Sequence, residues 1–160
     1  MDDGLRRLTG IASIIFTIGT ALHAFVVVNH HTLTLMMVKA NADPATAGQF
    51  LTTFRVVGCL YIAGNALGVL ALLKSPPRWL FWPVLAVNVT QAAGVFMVPP
   101  EMWAAAREEF GLVGMLPSLV TDGGALVLAV ILVVGRGLSM RKGPSSGAER
   151  ALRHTKSEIR

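Results

Sequence analysis

Asp122 is the side chain in this sequence that is best placed to do chemistry. It lies near the middle of the apolar run 115–134, whose only other polar side chains, Ser118 and Thr121, can bond back to their own helix. About 20 apolar residues in a helix, at about 1.5 Å each, cross the hydrocarbon of a bilayer. A carboxylate at that depth costs several kcal/mol unless it is protonated, paired or turned toward a polar interior. Asp122 therefore marks a candidate functional site.

Polar side chains in the other three hydrophobic runs are predicted to lie at matching depths. Counting inward from the outer end of each run, at about 1.5 Å per helical residue, places Asn65 and Asn88 with Asp122 at a depth of about 15 Å. A second group lies at about 10 Å by the same count and comprises His23, Tyr61, Gln91 and Ser118. Helical spacing gathers these residues on one face of each run, and in lipid such faces turn toward one another. The sequence therefore predicts a polar pocket inside the bundle.

Two residues of this pocket are catalytic candidates and six residues are ligand-binding candidates. Asp122 and His23 are the catalytic pair, because a carboxyl and an imidazole can exchange protons near neutral pH. Arg55, near the outer end of its helix, can contact an anionic headgroup or pair with Glu101. The full ligand-binding set is Arg55, Tyr61, Asn65, Asn88, Gln91 and Ser118. In the alternative interpretation, the amide and hydroxyl groups only join the helices, through hydrogen bonds worth about 1 kcal/mol each.

The sequence contains no motif for a metal or a cofactor. It has no CxxC, no HExxH and no glycine-rich phosphate loop, and its single cysteine, Cys59, excludes an internal disulfide. His30 and His31 are adjacent, so on a helix their side chains diverge by about 100° and make a poor metal pair. We therefore expect neither a metal nor a cofactor.

The composition is that of a polytopic membrane protein. Apolar residues make up 53% of the chain, charged residues make up 14%, and the mean hydropathy is +0.60. Four hydrophobic runs predict one helical bundle over 8–135, after a polar cytoplasmic lead over 1–7. The remainder, 136–160, is rich in Gly, Ser, Lys and Arg and is predicted to be a basic, disordered cytoplasmic tail. The predicted fold is all-α, with four transmembrane helices.

Local signals divide the bundle into its helices. The predicted spans are 8–28, the membrane part of a helix over 44–73, 79–98 and 112–134. The second helix begins at Asp43-Pro44, with Asp at the N-cap and Pro at the first helical position. Residues 29–42 are predicted to form a loop, and Pro117 is predicted to kink the fourth span. Between spans three and four, 101–110 is predicted to form a short extracytoplasmic amphipathic helix that can cover the mouth of the pocket.

The distribution of Lys and Arg predicts the orientation. Eleven of the 14 basic residues lie in the lead, in the 74–78 turn and in the tail, whereas Lys39, Arg55 and Arg107 lie on the other side. By the positive-inside rule both termini are cytoplasmic, in a multi-pass protein of the plasma (cytoplasmic) membrane. A basic tail after a membrane span favours anionic lipid headgroups over nucleic acid as partners. Membrane lipids are therefore the expected partners. Association with a second copy or with a larger membrane complex stays open.

The second helix resembles that of a known family. Residues 54–58, FRVVG, followed by 64–68, GNALG, are similar to the second span of small DoxX-like four-helix integral membrane proteins. The number of spans, the cytoplasmic termini and the overall length are also similar. The resemblance implies a four-helix membrane fold, and it carries over no catalytic residue.

Three functions are compatible with a polar pocket centred on Asp122. The first is binding of a lipid or lipophilic small molecule, or assistance to a membrane complex. The second is a membrane-embedded enzyme that uses Asp122 for proton transfer on an isoprenoid-like substrate. The third is an oligomeric element of a proton-coupled transporter. Binding is the leading hypothesis, because one acid without a clear second catalytic group is weak support for catalysis.

Overall fold

Four long apolar helices make up most of the molecule. The computed structural model describes residues 3–141, and within that range all regular structure is helical, with no strand. The helices that are long and apolar enough to cross a membrane are Asp3–Val27, Pro44–Leu72, Arg78–Met97 and Pro100–Leu138, called spans one to four below. The predicted all-α class with four spans is therefore confirmed. The tail over 142–160 lies outside the described residues.

The first span ends in a wider helical turn, and a second helix follows it directly. Helix α1 covers Asp3–Leu22 and continues as a π-helical turn over His23–Val27. Helix α2 covers His30–Lys39, and the side chain of Asn29 caps it by accepting a hydrogen bond of 3.0 Å from the backbone nitrogen of Thr32. The prediction of a loop over 29–42 is therefore wrong. An N-cap residue followed by an apolar face at helical spacing is a helix signal. The buried residues of that face are Leu33, Met36 and Met37.

The second span begins where the sequence predicts. Asp43 accepts a hydrogen bond of 3.0 Å from the backbone nitrogen of Ala45, and a 3-10 turn over Pro44–Thr46 leads into helix α3, Ala47–Gly68. A second 3-10 segment, Val69–Leu72, completes the span. The N-cap prediction at Asp43-Pro44 is confirmed.

The third span and the helix after it also follow the sequence. A 3-10 turn over Arg78–Leu80 leads into α4, Phe81–Ala92, and a short helix α5, Gly94–Met97, continues it. Helix α6 covers Pro100–Phe110, so the residues of the predicted short helix are helical, at the start of span four. Gly111 ends α6 with a φ of +66°, a conformation that favours glycine.

The fourth span is irregular between α6 and residue 124. A 3-10 segment, Gly111–Met115, leads to the single turn α7, Leu116–Ser118, and then to a π-helical turn over Leu119–Gly123. Helix α8 follows over Gly124–Arg141 and so continues past residue 135, into the segment that we predict as a tail. The guanidinium of Arg136 lies 4.7 Å from the ring centre of Phe81 and 4.9 Å from that of Trp82. These cation–π contacts anchor the end of the span.

Helices α2 and α6 form a cap at one end of the bundle. Lys39 Nζ lies 2.7 Å from Glu108 Oε2. Glu109 accepts hydrogen bonds of 2.8 Å from Asn29 Nδ2 and 2.5 Å from the Thr32 hydroxyl. Below these polar links the cap packs on the start of α3 through apolar side chains. They include Leu33, Met36, Ala47, Leu51, Met102 and Ala105. We call α2 and α6 the cap, and this end of the bundle the capped end.

The opposite end of the bundle is closed by a second apolar cluster. Its buried members come from all four spans and include Phe16, Ala71, Phe81, Val84, Leu128 and Leu132. The guanidinium of Arg6 donates hydrogen bonds to the backbone carbonyls of Leu73 and Lys74, which directly follow span two. Along the chain, His23, Tyr61 and Asp122 each lie between a member of one cluster and a member of the other.

Candidate functional site

A cavity of about 380 Å³ lies beneath the cap, between the four spans. Its walls are mostly apolar, with side chains such as Val28, Leu33, Met36, Phe54 and Met102. Polar side chains line it along the deeper wall. They are Thr20, His23, Tyr61, Gln91, Thr121 and Asp122. Four residues that the sequence nominates for the site, His23, Tyr61, Gln91 and Asp122, therefore meet in one cavity.

The carboxyl group of Asp122 accepts hydrogen bonds from its own span and fits against a glycine of the neighbouring span. Its Oδ2 accepts a hydrogen bond of 2.7 Å from the Ser118 hydroxyl, and its Oδ1 accepts one of 3.1 Å from the Thr121 hydroxyl. A Cβ atom added at Gly94 would lie 3.0 Å from Oδ2 and 3.1 Å from Cγ. Gly94 thus makes room for the carboxyl against α5. An ionised carboxylate has about four acceptor positions, so two bonds leave Asp122 able to accept more.

His23 lies on the same cavity wall as Asp122. Its ring is half-buried and meets Phe54 edge to face, with 5.6 Å between the ring centres. The His23 Nδ1 atom is buried and has no hydrogen-bond partner among the described residues. His23 and Asp122 both line the cavity. The two predicted proton-exchanging groups therefore share one cavity, one from span one and one from span four.

Each of these two residues belongs to a π-helical turn. His23 begins the turn His23–Val27, and Asp122 lies in the turn Leu119–Gly123. Single π-turns inside α-helices are rare and occur frequently at functional sites, because the extra residue changes the direction of nearby side chains. We predict a distortion of span four at Pro117, but the π-turn begins after it. Nothing in the sequence signals the turn at His23.

A buried amide cluster forms the wall beside the carboxyl. Asn65 Nδ2 donates to Gln91 Oε1 at 2.9 Å and to the Thr20 hydroxyl at 3.4 Å. Gln91 Nε2 donates to the same hydroxyl at 3.1 Å. All three residues are buried, and they join spans one, two and three. Gln91 and Thr20 line the cavity, whereas Asn65 does not, so Asn65 supports the wall from behind. Thr20 is not among the residues that the sequence nominates for the site.

The other three ligand-binding candidates do not line the cavity. Ser118 is buried, and it orients Asp122 through its hydrogen bond. Asn88 is buried and donates to the Val84 carbonyl of its own helix at 2.8 Å. The Arg55 guanidinium lies 5.7 Å from the ring centre of Phe25, and in the described part of the chain it makes no ion pair with Glu101. Matched depth therefore identifies the layer but not which way each side chain points.

The four apolar helices and their internal cavity are compatible with the class of multi-pass membrane proteins. Within residues 3–141 no group of three or more His, Cys, Asp or Glu side chains is placed to hold a metal ion. The chain matches no protein-family model, no curated protein and no solved structure.

Proposed function

We propose that this chain is a small integral membrane protein that binds one lipophilic small molecule in the cavity, with the ligand's polar group against Asp122. The observation that carries the proposal is the cavity itself: about 380 Å³, apolar on most walls, with a carboxyl and an imidazole on one side. Ligand sites are typically apolar clefts of about 300–1,000 Å³ with a few placed polar groups. The cavity is at the small end of that range, so it suits a single chain and not a whole two-chain phospholipid.

The polar wall favours a ligand that donates hydrogen bonds. Asp122 accepts from Ser118 and Thr121 and retains acceptor capacity, while His23 Nδ1 has no partner among the described residues. A buried polar group without a partner costs about 1–3 kcal/mol, which a matching ligand group recovers. A hydroxyl or an amine at one end of an apolar chain matches this wall.

The proposed setting is the plasma (cytoplasmic) membrane, with both termini in the cytoplasm. The excess of Lys and Arg in the lead, the 74–78 turn and the tail supports this orientation. In it, the cap faces the extracytoplasmic side. The pattern of 54–58 and 64–68 supports a relation to the DoxX-like proteins, which is part of the same proposal.

Titration with tetradecylamine, followed by native mass spectrometry, tests binding. We expect Asp122→Asn to weaken binding by about ten-fold or more, because hydrogen bonds to a charged group contribute about 1.5–3 kcal/mol. Asn88→Leu is the control, since Asn88 is a buried polar side chain that does not line the cavity. It should bind the amine as the wild type does. Failure of the wild type to bind any single-chain amine or alcohol would refute the proposal.

A second candidate function is catalysis of proton transfer on the bound molecule. It is favoured by the position of His23 and Asp122 in one cavity, where a proton donor and a proton acceptor can flank the same ligand. An isoprenoid-like substrate whose double bond moves would fit this chemistry. In that case Asp122→Asn abolishes turnover of a bound prenyl alcohol. A binding protein shows no turnover even as the wild type.

A further inference from the structure

The cavity is lined on one side by residues that are also exposed on the surface of the bundle. Phe50, Thr53 and Val57 of α3 line the cavity and are exposed. Thr90 of α4 and Met97 of α5 also do both, and Met97 is 78% exposed. These five residues lie on spans two and three, and we call them the portal. Pro99, two residues after Met97, also lines the cavity and is exposed. The cavity therefore opens sideways, between two spans, toward the place that acyl chains occupy in a membrane.

The remaining sides are closed. Ala24 of span one and Val28, which follows that span, line the cavity and are each 1% exposed. The cap contributes Leu33, Met36 and Met102, all buried, and its two helices are joined by the Lys39–Glu108 ion pair and by Glu109. A path through the cap would have to break these links and expose apolar side chains to water. A path through the portal breaks none of them.

The portal leads directly to the carboxyl. Thr90, Gly94 and Met97 are spaced by four and three residues, so they share one face of the third span. Gly94, between the two portal residues, is the position that lies against Asp122. Val57 and Tyr61 continue the opposite edge in the same way, four residues apart on α3. A molecule that enters between the spans therefore meets Asp122 at its leading end.

The chemistry of the portal suits an acyl chain. Phe50, Val57 and Met97 offer apolar surface, and the two hydroxyls are engaged by their own helices. The Thr53 hydroxyl donates to the Gln49 carbonyl at 3.2 Å, and the Thr90 hydroxyl donates to the Ala86 carbonyl at 2.9 Å. The polar groups that can bind a ligand lie deeper, at Asp122 and His23. A ligand that enters through the portal therefore meets apolar side chains first and the polar groups last.

We propose that the ligand is a single-chain amphiphile with an amine or hydroxyl head, which enters from the bilayer leaflet at the capped end through the portal. This inference rests on the proposed binding function and adds the source and the path of the ligand. The head reaches Asp122, and the chain extends back between spans two and three into the leaflet. A water-soluble molecule has no comparable route.

The test is the rate at which bound tetradecylamine exchanges with its chain-deuterated form, supplied in a second population of vesicles and followed by native mass spectrometry. Thr90→Trp and Val57→Trp place a bulky side chain at the portal. Their matched controls are Val89→Trp and Val56→Trp, exposed neighbours that do not line the cavity. We expect the bound amine to exchange about ten-fold or more slowly in each portal variant than in its control. A narrowed entry path lowers the rates of association and dissociation and leaves the binding site unchanged.

A cross-linked cap provides the opposite comparison. Lys39→Cys and Glu108→Cys, introduced into Cys59→Ala and joined by a short thiol-reactive linker, hold the cap closed. Exchange in this protein should stay within about two-fold of the uncrosslinked protein. The inference is overturned if cross-linking slows exchange as strongly as the portal variants should, or if the portal variants match their controls. It is also overturned if both portal variants lose the bound amine at equilibrium, since the portal would then be part of the site. Absence of amine binding by the wild type would instead refute the proposed function.

Discussion

Gly94→Ala tests how the carboxyl group of Asp122 is accommodated. The added Cβ would lie 3.0 Å from Oδ2 and 3.1 Å from Cγ, whereas unstrained contacts between non-bonded heavy atoms are about 3.5–4.0 Å. The carboxyl or α5 must therefore move by a few tenths of an ångström. Overpacking of this kind costs about 1–3 kcal/mol. An alanine in a helix recovers about 0.5–1 kcal/mol relative to glycine, so the net loss is about 0–2.5 kcal/mol.

Gly123→Ala is the matched control for this substitution. Gly123 precedes α8 by one position, and a Cβ there would meet nothing within 4 Å. The control keeps the stabilisation of alanine over glycine in a helix and avoids the contact with the Asp122 carboxyl. The two variants should therefore differ by about 1–3 kcal/mol in free energy of unfolding. Equilibrium unfolding in mixed micelles containing SDS measures this difference.

A double-mutant cycle assigns the cost to the carboxyl. In an Asp122→Ala background the atoms that meet the new Cβ are gone, so Gly94→Ala should become neutral or stabilising, with a coupling energy of about 1–3 kcal/mol. The reasoning is refuted if Gly94→Ala is as stable as Gly123→Ala in the wild-type background. It is equally refuted if the penalty persists unchanged without Asp122.

Two further predictions concern the cap and the amide cluster. Glu109→Ala removes two hydrogen bonds to a carboxylate and should lower the free energy of unfolding by about 2–3 kcal/mol, measured by the same titration. Glu108→Ala, which breaks only the partly exposed ion pair, should cost less than about 1 kcal/mol, and equal losses would contradict this assignment. Thr20→Val deprives two buried amide donors of their shared acceptor and should cost about 1–3 kcal/mol. Thr17→Val, whose hydroxyl bonds only to its own helix, should cost less, and the prediction fails if the two are equivalent.

The spans and their boundaries can be predicted from sequence because length and capping decide them. A helix that crosses a bilayer needs a long apolar run, and Asp43-Pro44 is a start signal that depends on local chemistry alone. Helix α2 is not predicted from the hydrophobic runs, because residues 29–42 mix polar and apolar side chains. Its signals are the N-cap residue Asn29 and the apolar face that includes Leu33 and Met36, which is shorter than a membrane span.

The membership of the site can be predicted only in part, because depth does not determine direction. Matched depth brings together His23, Tyr61, Gln91 and Asp122, since residues in one layer of a small bundle lie within a few side-chain lengths. Asn88 bonds to its own helix instead.

The π-turns at His23–Val27 and Leu119–Gly123 depend on how the spans pack against one another. No local motif specifies them, yet they set the direction of the two ionisable groups. This is the part of the site that sequence reasoning does not reach.

Photolabelling in vesicles tests the central claim most directly. A tetradecylamine that carries a diazirine beside its amine is incorporated into vesicles with the protein, irradiated, and its adducts are mapped by mass spectrometry of peptides. We predict that the adducts concentrate on Asp122, His23 and the residues next to them, and that an excess of unlabelled tetradecylamine suppresses them. Adducts spread over the exposed faces of the spans, with none at Asp122 or His23 and no effect of competitor, would contradict the account.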